Sequence, residues 1–157
     1  MSLTVELIDR ATVRFKALPE NVRAALRPVI VRDGKELAAL VRGKLNGGVL
    51  QRRTGRMAES IRSEMRENAN TLYGLVYSTG VVYAGIHEHG GRTKPHDIYP
   101  RNARALHFFS GGNEVFAKVV HHPGSLIPQR SYLRSSLAEL KGKIAADIER
   151  AGKSAWL

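Results

Sequence analysis

The chain has 157 residues, is 43% hydrophobic, and carries 25 Lys and Arg against 14 Asp and Glu, a formal net charge of +11. That length and composition fit a single domain over 1–157 with no separate linker domain, and the charge favours acidic protein surfaces or polyanions as partners. Absence of cysteine excludes disulfides, thiolate nucleophiles and cysteine zinc sites; with Glu6 near the start and no long apolar run, neither a signal peptide nor a membrane span is expected.

Residues 3–8 alternate weakly and read either as a short strand or as the lead-in to a helix. From Asp9, Val13, Ala17 and Leu18 recur near helical spacing, so a first helical piece is expected before Leu18-Pro19-Glu20. A second, long amphipathic helix follows from Pro19, with Val22, Leu26, Val29, Ile30, Leu37, Leu40, Val41 and Leu45 on one face and a basic polar face opposite. Pro28 removes a backbone donor, which predicts a kink or break near Arg27, and Asn46-Gly47-Gly48 supplies the stop.

Val49 to Arg53 form a basic connector containing Arg52 and Arg53. Thr54 then stands as N-cap of a short helical turn, Gly55 and Arg56 follow, and Met57 and Ile61 face the core. Alternation over 61–66 and 72–78 about Asn68-Ala69-Asn70 predicts a hairpin over residues 60–78.

The stretch Val81 to Gly91 reads as extended, which places His87 and His89 on one face and Glu88 on the other. With His96 these histidines raise a zinc site. The stretch lacks a helical His-Glu-x-x-His spacing and an acidic ligand on the histidine face, so the reading adopted is histidines that hydrogen-bond loop backbone, with no metal and no cofactor.

Gly90 to His96 is a flexible basic loop with Arg92 and Lys94; Arg101 and Arg104 follow. Ile98-Tyr99-Pro100 is extended, and residues 103–109 and 114–121 about Ser110-Gly111-Gly112-Asn113 make a second hairpin, about 98–121, with Leu106 and Phe108 buried together. Pro123-Gly124 after His122 ends regular structure, Pro128 holds the next segment extended, and Ser131 caps a helix whose first apolar anchors are Tyr132 and Leu133. That helix carries the stripe Leu133, Leu137, Leu140, Ile144 and Ile148, with Asp147 assigned to the wet face. Trp156-Leu157 is expected to dock on another subunit. The fold class is therefore α+β: a small, mostly antiparallel sheet of two hairpins packed by a long N-terminal helix and a C-terminal helix.

Three blocks stand in fixed order: Thr54, Gly55, Arg56, Met57, Ser60 and Ile61; then Tyr83, Ala84, Glu88 and Gly90; then His122, Pro123, Gly124, Pro128, Tyr132 and Leu133. In order and spacing they resemble the gp-ten-like tail components of long-tailed bacteriophages, which are similar to the phage virion morphogenesis proteins and to lambda-type minor tail protein Z. The chain departs from the family's hydrophobic-Glu-hydrophobic-Gly in having His87 and His89 beside Glu88.

The resemblance implies a non-enzymatic virion protein at the head-tail neck, made in the host cytoplasm of a phage or prophage and assembled there as a ring. Its implied partners are copies of itself, the portal or its adaptor, and the tail tube or tail terminator. Arg52, Arg53, Arg92, Lys94, Arg101 and Arg104 are the candidate assembly residues, facing acidic protein or the phosphates of DNA in the lumen without regard to sequence. Two other classes compete: a basic nucleic-acid-binding protein, and a metal-dependent nuclease using His87, His89, His96 and His121 or His122, whose nearby acids Glu88 and Asp97 are poorly spaced.

Overall fold

The computed structural model describes residues 19–68 and 71–155, together with the backbone of 4–8 and 10–14. The expectations for Ala17, Leu18, the turn at 69–70 and Trp156-Leu157 fall outside the described residues. The fold is α+β, with antiparallel two-stranded ladders, a long N-terminal helix and a C-terminal helix.

Strands β1 (Thr4–Ile8) and β2 (Arg10–Arg14) form an antiparallel pair, Thr4 opposite Arg14. This resolves the first segment as a strand and corrects the first helical piece over 10–14. Five consecutive cross-strand positions outweigh a helical spacing that rested on Val13, Ala17 and Leu18.

Helix α1 (Glu20–Gly43) runs unbroken through Pro28, so of the kink or break expected near Arg27 the break is absent. Pro28 is exposed, and on the solvent side a carbonyl left without its amide donor is reached by water. Six of the eight residues of its apolar stripe, Val22, Leu26, Ile30, Leu37, Val41 and Leu45, lie inside, while Val29 and Leu40 are half-buried at the stripe's edges. A π-type turn over Lys44–Gly48 ends it at the expected glycines.

Helix α2 (Arg56–Glu59) leads into β3 (Ile61–Asn68), which pairs in register with β4 (Thr71–Ser78), Ile61 opposite Ser78. This is the expected first hairpin. Helix α4 (Leu133–Ser154) lies along α1. Between them the hairpin and the two helices close two apolar clusters. One joins Leu37, Val41, Leu45, Ile61, Val76, Tyr132 and Leu137; the other joins Val22, Leu26, Ile30, Leu72 and Ile148. Each fully buried aliphatic here stabilises by roughly 1.5–3 kcal/mol.

Charge fixes the same layers. Glu67 at the end of β3 accepts from Arg23 and Arg27 of α1, with the Arg27 Nε to Oε2 distance 2.8 Å. The hydrogen bonds from Arg27 and then Arg23 hold its carboxyl down at about 2, and Arg27 is correspondingly raised. Asp147 was expected on the wet face of α4 but is buried, because Arg32 of α1 (2.6 Å), Lys143 (2.9 Å) and Arg150 (3.1 Å) close over its carboxylate. The hydrogen bond from Lys143, the largest influence, lowers the Asp147 carboxyl below its ordinary value.

The second hairpin lies apart from the first and is longer than the sequence suggests. Strands β5 (Gly91–Arg92), β6 (His96–Ile98) and β7 (Leu106–Ser110) run out, and β8 (Asn113–Ala117), β9 (Val120–His122) and β10 (Leu126–Ile127) return. They pair as three nested ladders: Leu126 opposite Arg92 at the root, His96 opposite His122 in the middle, Leu106 opposite Ala117 near the tip. No residue from 89 to 131, all of which are described, is buried. The hairpin is thus an arm that contributes nothing to the apolar core, and the loop expected over Gly90 to His96 keeps its irregular backbone at 93–95 but pairs at Gly91–Arg92 and at His96, where the arm's outgoing strands lie.

Candidate assembly site

The arm is held where the second and third sequence blocks meet. Residues Ala84–His89 form a short helix, α3, which corrects the extended reading of Val81 to Gly91. Ala84 and Glu88 are four residues apart and both buried, a helical spacing that the neighbouring β-branched Val81 and Val82 obscured. His87 and His89, two residues apart, therefore point to different sides of a helix instead of one face of a strand. His89 Nδ1 lies 3.1 Å from Arg134 Nη2, while His87 sets its ring edge-on to Tyr83.

Glu88 is 3% exposed and does most of the capping expected of Ser131, which keeps one amide for itself. The start of a helix leaves its first amides without partners. Glu88 Oε2 accepts the amides of Tyr132 at 2.8 Å and Leu133 at 2.9 Å, and Oε1 accepts the Arg134 amide at 3.0 Å. Ser131 donates its hydroxyl to Glu88 Oε1 at 2.7 Å and accepts the Ser135 amide at 3.3 Å. An anion at this end also opposes the positive pole of the helix. Tyr132, almost wholly buried, donates its hydroxyl to the Ala84 carbonyl at 3.2 Å, so α3 and α4 are joined twice.

The connecting backbone is equally constrained. The Arg130 amide donates to the His87 carbonyl at 2.8 Å. Gly90 has φ 72°, and a Cβ there would stand 2.9 Å from the Gln129 nitrogen. Gly124 has φ 84°, and a Cβ would meet the Thr93 carbonyl oxygen at 2.2 Å. Both positions demand glycine. Pro123-Gly124 interrupts the ladder but does not end it: the Thr93 amide donates to the Ser125 carbonyl at 2.9 Å, and the Ser125 amide to Thr93 Oγ1 at 2.7 Å. Pro128 follows β10 directly, as its extended geometry allows.

The first block lies at the other end of β4. Gly55, in the left-handed region, is the N-cap of α2, and Thr54 Oγ1 accepts the Arg56 amide at 3.4 Å from one position earlier, so Thr54 closes a local turn and is not itself the cap. Arg56 reaches the Gly80 carbonyl at 3.5 Å, and Ser60 bonds Ser78 Oγ at 2.7 Å. This block therefore fixes the exit of β4 into the turn that precedes α3.

The candidate basic residues divide between two places. Arg52 and Arg53 are exposed before α2, where Arg52 lies 3.7 Å from Glu59. Arg92, Lys94, Arg101 and Arg104 are exposed along the arm. The arm's two acids are engaged within it: Asp97 with His121 at 2.6 Å, Glu114 with His107 at 2.7 Å.

Strands β6 and β9 bring His96, Asp97, His121 and His122 to one cleft, but not to one point. His96 stacks on His122 with centroids 5.0 Å apart, while Asp97 and His121 pair on the alternate face. His96 Nδ1 donates to the Lys94 carbonyl, and His122 Nδ1 accepts the Gly124 amide. Among the described residues no three such ligands gather into a set that could hold a metal ion.

Sequence reasoning missed the exposed apolar side chains of the arm. Phe109 is 71% exposed, Phe116 66% and Leu126 80%. The signal was available in Leu106-His107-Phe108-Phe109, where the face opposite Leu106 and Phe108 is aromatic as well. Compared with known proteins, the chain matches no family model, no curated protein and no solved structure.

Proposed function

We propose that this chain is a non-enzymatic structural protein of a tailed phage or prophage virion, placed at the head-tail neck. There it assembles as a ring that completes the tail or joins it to the portal and its adaptor. One observation carries the reading: residues of the three ordered blocks are spent on scaffolding, Glu88 on capping α4, Gly90 and Gly124 on close backbone approach. What they support is an exposed arm with apolar and cationic side chains, an element suited to contact with other subunits. Order and spacing of those blocks supply the resemblance to the tail components, and the arm's cations suit acidic faces of neighbouring rings.

Removal of the protein from the phage tests this reading. Filled heads and finished tails are expected to accumulate unjoined, and whole infectious particles formed without it defeat the proposal. A second reading, nucleic-acid binding, draws on the cations of the arm, which have no carboxylate partner among the described residues. Tight, salt-sensitive retention of random duplex DNA at moderate salt favours that reading instead.

A further inference from the structure

We infer that the tip of the arm in one copy docks on the arm root of a second copy, a head-to-tail contact that builds the ring. The inference rests on the assembly reading above and assigns it a surface.

The tip is a two-stranded ladder with apolar side chains on both faces. Leu106, Phe108, Val115 and Ala117 lie half-buried on one side; His107 stacks on Phe116 at 4.7 Å on the other, beside exposed Phe109. A lone two-stranded ladder is marginal in water, and strands apolar on both faces are the pattern of a sheet covered on both sides. At the root, Leu126 is exposed and its cross-strand neighbour Arg92 has no ion-pair partner among the described residues. Helix α3, which packs on β5, begins beside exposed Val82 and Tyr83.

The two patches match. Phe109 stands opposite Glu114 at the tip, as Leu126 stands opposite Arg92 at the root. Each pair sets an apolar side chain beside a charge, and the charges are opposite; among the described residues Glu114 has a single partner, the neighbouring His107 at 2.7 Å, and its exposed carboxylate leaves acceptor positions open. The arm cannot satisfy itself, because the β6 and β9 ladder holds tip and root apart; the nine steps from Ala117 to Leu126 span up to roughly 30 Å at about 3.3 Å each. A second copy can supply the complement. Because the two surfaces differ, the contact is heterologous, and such contacts propagate into a ring or a filament.

Sedimentation of the full chain at rising concentration tests this, with two variants in exposed positions: a tip variant, Phe109→Ser with Phe116→Ser, and a root variant, Leu126→Ser with Arg92→Glu. The wild type is expected to form species larger than a dimer. Each variant alone is expected to associate at least about tenfold more weakly, the loss typical of a buried anchor. An equimolar mixture is expected to give a one-to-one dimer that does not grow, since one intact tip and one intact root remain. Three results overturn the contact: a wild type monomeric up to about 1 mM, variants that assemble as well as the wild type, or a mixture that stays monomeric. A wild type that stays monomeric yet retains a single-stranded oligonucleotide only with Phe109 and Phe116 present assigns the tip to nucleic acid and likewise overturns it. Assembly undiminished in both variants leaves the ring standing on another surface, whereas the neck reading falls only by the deletion phenotype.

Discussion

Glu88 and Tyr132, 44 residues apart in the chain, meet through a hydrogen bond of 2.8 Å from the Tyr132 amide to the Glu88 carboxylate. With the Leu133 and Arg134 amides on the same side chain, one carboxylate satisfies most of a helix terminus. Glu88→Ala leaves buried donors without partners and is expected to cost about 3 kcal/mol. At the scale of this chain that lowers the melting midpoint by roughly 6–12 °C. Hydrogen exchange should quicken at residues 132–134 while the middle of α1 keeps its protection.

Tyr132→Phe removes only the hydroxyl that donates to Ala84. The ring still fills its place, so the expected loss is about 1 kcal/mol, the usual net worth of one hydrogen bond. A urea melt with an unchanged slope checks it, since the folded core is otherwise the same.

Acid should loosen the contacts of α1 with the first hairpin, through Glu67, and with α4, through Asp147. The Glu67 carboxyl is lowered from 4.5 to about 2 by Arg27 and Arg23, and Asp147 lies below its ordinary 3.8 chiefly through Lys143. Groups depressed in the folded state bind protons more readily when unfolded. Their stabilisation is complete above the ordinary values and drains away as pH falls through the folded ones. The urea midpoint is therefore expected to hold down to about pH 5 and then fall progressively toward pH 2. Glu67→Gln should be less stable at neutral pH and show a flatter acid limb.

Gly124→Ala sets a methyl group against the Thr93 carbonyl at a backbone angle that side chains avoid. The expected cost is about 1–3 kcal/mol, felt in the arm and not in the core. Exchange at the Thr93 and Ser125 amides should rise while the α1 protection stays unchanged.

Excising the arm, with a two-residue Asn-Gly turn joining Thr93 to Ser125, should leave the body folded. None of the removed residues is buried, and the root pair Leu126 opposite Arg92 is kept. A melting midpoint within a few degrees of the full chain is expected, with about 1 kcal/mol or less lost.

The body of this fold is legible in its residues where a period runs long enough to be read. The stripe from Val22 to Leu45, the hairpin over 61–78 and the stripe from Leu133 to Ile148 all appear where the spacing puts them. Helix α3 escapes because six residues hold little more than one helical repeat and follow two β-branched valines. The root ladder escapes because Gly91-Arg92 and Leu126-Ile127 are two residues each, too short to alternate. Asp147 looks like a solvent position until Arg32 of another helix covers it. The capping role of Glu88 depends on a partner 44 residues away, which no local pattern can announce.

The root also decides where the arm points. With α3 bonded to α4 through Glu88 and Ala84 and to the segment before α4 through His87, any tilt of α4 turns the root with it. A rotation of about 5° there sweeps a tip roughly 30 Å away through about 3 Å, close to the spacing of one strand residue. The hairpin is in this sense a lever whose fulcrum is a single carboxylate, able to convert a small reseating of one helix into a change of register at a distant neighbour.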